Sequence, residues 1–155
     1  MKRDGVNEKK LVSILAIAAR TADANADLDL LNEGNLCDRA TIVVTMGAEG
    51  ITLSGTDKIE VVVCHGDSAT PTTPVEAGDV IVPLNAPDGV LFEPTSTGLM
   101  MTFDANTEIP GVFAFGYRGN KRYVNVKLDF SGTHGAGTPC GAHAILEGMA
   151  FRPAA

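Results

Sequence analysis

Short runs of β-branched residues, cut off at regular intervals by Gly, Pro, Asn and Asp, constrain this chain more than any other feature. Residues 39–46 (RATIVVTM) and 58–65 (KIEVVVCH) are dense in Val, Ile and Thr, whose branched side chains suit a pleated sheet better than a helix. Residues 122–130 (RYVNVKLDF) add strict alternation. Tyr123, Asn125, Lys127 and Asp129 fall on one face of such a strand, and Val124, Val126, Leu128 and Phe130 on the other, which is expected to face the core. Seventeen Gly and eight Pro supply the turns that many short strands need.

Further strands are expected over residues 27–31, 79–83, 99–103, 111–117 and 142–151, with a shorter one at 51–53. Residues 11–19 (LVSILAIAA) are ambiguous in period. Their Ala content favours a helix, while their length and the Asp- and Asn-rich run behind them favour an extended segment, which is the reading adopted. Residues 66–74 and 85–96 read as irregular. Seven to nine short strands without a convincing helix predict a single-domain, all-β sandwich of jelly-roll or immunoglobulin-like type. It would occupy residues 11–155, behind a charged N-terminal arm at 1–10. A chain of 155 residues can bury a core without staples. With no Trp and six Phe, that core must rest on aliphatic side chains.

Charge narrows the function. The net charge is −7, and residues 21–117 carry only Arg39 and Lys58 against fifteen acids. Such a body repels phosphate, so no nucleic-acid partner is expected. No apolar run approaches the ~20 residues of a membrane-spanning helix, and no membrane partner is expected either. The cations gather in two groups, Lys2, Arg3, Lys9 and Lys10 near the start and Arg118, Lys121, Arg122 and Lys127 near the end. Three cysteines, widely spaced and odd in number, do not make a disulfide framework, and synthesis in a reducing cytosol is expected.

The segment 116–126 (GYRGNKRYVNV) holds three of the twelve basic residues and both tyrosines. With the apolar stretch that runs into residues 19–23 (ARTAD), the strand-like 27–31 (DLDLL), and the runs at 40–45 and 58–63, it resembles a family of small structural proteins encoded among the head genes of tailed bacteriophages. The Tyr-Arg-Gly-x-Lys-Arg-Tyr-Val portion carries the specific part of the resemblance. Two features depart from it: residues 66–98 are longer and richer in Pro, and Asn125 stands where Arg is frequent. The resemblance implies a capsid decoration or cement protein in the virion, often trimeric, bound to the outside of the major capsid protein shell. The expected capsid or subunit contacts are Lys2, Arg3, Lys9, Lys10, Tyr117, Arg118, Lys121, Arg122 and Tyr123. A plain hairpin turn with solvated charges explains the 118–122 cluster equally well. A head–tail or tail-tube component and a carbohydrate-binding or adhesion jelly roll are the alternatives. The second suffers from the lack of aromatic platforms.

Catalytic and metal motifs are weak. Cys64, His65, Cys140 and His143 make a legal zinc set by type, but neighbours on a strand face opposite ways, and buried thiols with surface histidines are the simpler expectation. Residues 132–138 (GTHGAGT) are Gly-rich without the Lys-Ser/Thr ending of a phosphate loop, and read as a flexible inter-strand loop. Asp23, Asp27 and Asp29 miss the spacing of a calcium loop. No catalytic residue, metal or cofactor is expected.

Overall fold

The computed structural model describes residues 9–32, 35–37, 39–81 and 96–147. The arm residues Lys2 and Arg3 and the expected irregular stretch at 85–96, apart from its last residue, lie outside this set. Twelve strands are assigned within it: β1 Lys9–Arg20, β2 Ala24–Asp29, β3 Leu31–Asn32, β4 Asn35–Leu36, β5 Arg39–Met46, β6 Lys58–Gly66, β7 Thr73–Pro74, β8 Val80–Ile81, β9 Leu99–Phe103, β10 Gly111–Tyr117, β11 Tyr123–Ser131 and β12 Thr138–Glu147.

All pairing is antiparallel. One sheet runs β1-β12-β5-β10-β8, and the second runs β2-β11-β6, with β7 and β9 sharing the far edge of β6. Counting only the eight longer strands in chain order, the sheets read 1-8-3-6 and 2-7-4-5. This order is the jelly-roll form of the β-sandwich, and it separates the two possibilities that strand count alone left open.

Alternation builds the core. Ala40, Ile42, Val44 and Met46 of β5 face Ile59, Val61 and Val63 of β6 and Val124, Val126 and Leu128 of β11 across the interior, where all are buried. Phe103 and Phe113 tilt against each other with centroids 4.8 Å apart and fill one end. Gly98 adopts a left-handed φ of 77° where a Cβ would strike the Val63 carbonyl, and its own carbonyl accepts the Val63 N–H at 2.8 Å.

Several expectations are corrected. Residues 51–53 are not a strand: Asn106 bonds the Leu53 N–H and the Ile51 carbonyl through its side chain, so this segment spends its backbone groups on a loop. The 27–31 strand begins earlier, at Ala24, and breaks after Asp29, whose side chain caps the Leu31 N–H at 2.9 Å. The last strand begins at Thr138 rather than 142, and residues 148–151 lie outside the described set. Asp79 belongs to a single 3₁₀ turn ahead of β8. His65, expected at the surface, is buried, and so is His134 in the loop expected to be flexible.

Candidate interaction surfaces

The register brings together what the sequence keeps about a hundred residues apart. Lys10, Leu146, Ala40, Tyr117 and Val80 form one row across the first sheet, with Lys9, Glu147 and Arg39 in the row beyond. The 118–122 turn leaves β10 at this same end. Six of the nine cations among the described residues, Lys9, Lys10, Arg39, Arg118, Lys121 and Arg122, therefore sit at one pole of the sandwich. Tyr123 opens β11 beside them.

These side chains are not all free to dock elsewhere. Arg122 forks onto Asp29 with bonds of 3.0 and 2.8 Å and lies 4.8 Å from the Tyr123 ring centroid. That fork holds the Asp29 carboxyl below its usual range and raises the guanidinium. Lys121 pairs with Asp67 at 2.6 Å, and Lys9 with Glu147 at 2.8 Å. Arg118 donates Nε to the Gly78 carbonyl at 2.9 Å. Among the described residues, Lys10, Arg39 and Arg118 have no carboxylate in an ion pair.

Tyr117 belongs to the interior, at 1% exposure. Its hydroxyl meets His65 Nδ1 at 2.9 Å and accepts the Lys121 N–H at 3.4 Å. This hydrogen bond ties β10 of one sheet to β6 of the other. Burial pushes the phenol pKa to about 12, so it stays protonated at any physiological pH. Its ring folds back over Gly119, where any Cβ would collide with it. The Tyr-Arg-Gly sequence thus has a packing reason of its own.

The two outer faces differ. On the β2-β11-β6 sheet, Lys127 pairs with Asp23 and Asp129, Lys58 with Glu60, and Asn125 donates to Asp27 at 2.7 Å. Asp23 is held below its usual range by the Phe130 N–H and Lys127. This is a solvated, self-neutralised surface. Among the described residues, the outer face of the other sheet bears no charged side chain between the Lys9–Glu147–Arg39 row and Pro139 at the far end. All four large hydrophobics counted as exposed among the described residues lie on it: Leu11 (72%), Ile17 (56%), Ile81 (48%) and Val112 (64%). A groove of about 300 Å³ opens on this face beside Ala114, Gly116, Thr41 and Ile81 and reaches Arg39 and Glu147 at the pole. Hydropathy alone could not find the patch, because its members come from three strands with 100 residues between Leu11 and Val112.

One buried polar cluster stands apart. Under the 132–137 loop, His134 Nε2 bonds the Ser131 carbonyl at 2.9 Å, and Nδ1 lies 3.6 Å from the Glu49 carboxylate. The Thr138 hydroxyl donates to the same Glu49 oxygen. The loop expected to be flexible is pinned by this cluster and by the Thr133 N–H on Asp57 at 2.9 Å. The four residues of the zinc set do not converge: Cys64 and His143 point outward from opposite sheets, and His65 and Cys140 point inward. Among the described residues, no group of three or more His, Cys, Asp or Glu is placed to hold a metal.

No protein-family model matches the chain, and no curated protein is significantly similar to it.

Proposed function

We propose that this chain is a structural protein of a phage virion, a decoration protein that binds the outside of the major capsid protein shell and stabilises the mature head. The observation that carries the reading is the convergence of Lys9, Lys10 and Arg39 with Arg118, Lys121 and Arg122 on one pole of an otherwise acidic sandwich. A body with net charge −7 and one cationic end presents itself to an acidic protein surface in a defined orientation. Lys10, Arg39 and Arg118 are the docking cations, since among the described residues none of them has a carboxylate in an ion pair. The motif resemblance and the jelly-roll architecture, which recurs in capsid proteins, point the same way.

The mechanism is passive. A shell under pressure from packaged DNA fails when neighbouring subunits slide, and a protein bridging them adds buried contact against that movement. Each contact can be weak, because many act on one particle. The test is occupancy of heads by a Lys10→Glu, Arg39→Glu, Arg118→Glu variant with unchanged circular dichroism. The expected result is a loss of binding of at least ~10-fold, because three attractions become repulsions. Full occupancy by the variant would refute the assignment of this pole.

A further inference from the structure

We infer that the uncharged outer face of the β1-β12-β5-β10-β8 sheet is the contact between two copies of this chain, packed face to face with strands antiparallel about a twofold axis. The face borders the cationic pole at Arg39 and Glu147, and the inference does not depend on the shell.

Four observations select a second copy as the occupant. The first is size. Four strands at ~4.8 Å spacing and about eight residues at ~3.3 Å, with the two-residue β8 at the edge, give about 540 Å² per copy, or about 1,100 Å² for a pair, just above the ~1,000 Å² that a biological interface has to clear. The second is charge. Among the described residues of this acidic molecule, this is a broad face on which two copies approach without opposing carboxylates, and large exposed apolar patches on soluble proteins mark contact sites.

The third is shape. Ser13, His143, Val43 and Ala114 form the middle row of the face. A twofold axis along that row exchanges the rows on either side. It sets the protruding Val112 of one copy over the Gly116 groove of the other, and Leu11 over Ile17 of the other. The face thus carries both the knob and the matching depression, which an isologous contact requires. The fourth is polarity along the strands. The same rotation lays the cationic pole of one copy over the opposite end of its mate, where Asp57, Asp104 and Glu108 lie in the loops. The far end and the pole then attract. Because the apolar patch is confined to one face, the contact closes as a pair and does not propagate. A pair is a different stoichiometry from the trimer that the family resemblance implies.

The test is sedimentation velocity and native mass spectrometry of the purified chain from 1 to 100 µM, without heads. The expected species has twice the chain mass of 16.1 kDa. Ile17→Lys with Val112→Lys places lysines at positions already 56% and 64% exposed, so each copy folds. The pair is expected to weaken by ~100-fold or more, because each lysine would be buried without a partner. Asn25→Lys on the outer face of the other sheet is expected to leave it intact. Hydroxyl-radical labelling of unmodified protein supplies an independent readout, with Leu11 and Val112 becoming protected as concentration rises. A monomer at 100 µM, a trimer, or a pair indifferent to the double substitution would each overturn the inference. Binding to heads is scored separately, so failure here leaves the proposed function standing, and failure there leaves the pair standing.

Discussion

Tyr117→Phe removes one oxygen from the hydrogen bond that spans the sandwich, and its cost follows from the geometry. The ring stays in place, so no cavity forms and the apolar burial is retained. What is lost is the 2.9 Å contact to His65 Nδ1 and the acceptor for the Lys121 N–H. His65 is 7% exposed, so water does not readily replace the hydroxyl. Leaving a buried polar atom unsatisfied costs about 1–3 kcal/mol, more than the net ~1 kcal/mol of an average hydrogen bond. The expected loss is about 2 kcal/mol, or a fall of about 4–8 °C in Tm for a domain of this size. Urea denaturation followed by circular dichroism measures it, with an unchanged m-value required. A double-mutant cycle with His65→Leu isolates the pair, since leucine removes the orphaned nitrogen as well. The double variant should lose less than the sum of the single losses by about 1 kcal/mol or more. A loss below about 0.5 kcal/mol, or strict additivity, would refute the view that this bond helps hold the sheets together.

Other expectations follow from the same coordinates. Gly98→Ala forces a Cβ onto the Val63 carbonyl at a left-handed φ and should cost about 2 kcal/mol or more, measured by thermal unfolding. Arg122→Ala breaks a solvent-screened pair and should leave thermal unfolding nearly unchanged, so a large fall in Tm would mean the fork onto Asp29 matters more than exposed pairs do. Asp23, Asp29 and Asp57 all have carboxyls held below the ordinary value of 3.8. The folded state therefore binds fewer protons than the unfolded one, and the stability they add is present above that value and lost as pH falls below it. Asp23→Asn with Asp29→Asn should flatten acid unfolding in this window, and an unchanged profile would contradict the assignment. Burial raises the Cys140 thiol to about 11, so Cys37 and Cys140, both buried, should react with a thiol reagent only on unfolding, after the half-buried Cys64.

The sandwich was legible because its central strands are simple. In β5 and β11, β-branched residues and strict alternation act together, and the bounds of β5 and β10 follow the sequence to the residue. β1 was harder, since LVSILAIAA has no period, and the reason is visible. Register shifts on either side of Leu15 change which residues face inward midway along the strand. The loop at 51–53 deceived because Ile and Leu there serve a long-range bond to Asn106 rather than a ladder. His65 was misplaced, and the pinning of the His134 loop was missed, because a histidine's burial depends on a partner distant in sequence, Tyr117 or Glu49, which no local pattern reveals. The same holds for the surfaces. The two basic clusters are plain in sequence, but only the register shows that Lys9 and Lys10 share a pole with Arg118, Lys121 and Arg122. The apolar outer face is assembled from residues that look like core positions in their own strands.

Co-sedimentation of the purified chain with mature, undecorated phage heads tests the decoration reading most directly. Saturable binding at a fixed ratio to the capsid protein, weakened by salt and lost when Lys10, Arg39 and Arg118 become Glu, is the predicted result. Heads that sediment free of the chain at every concentration would contradict it.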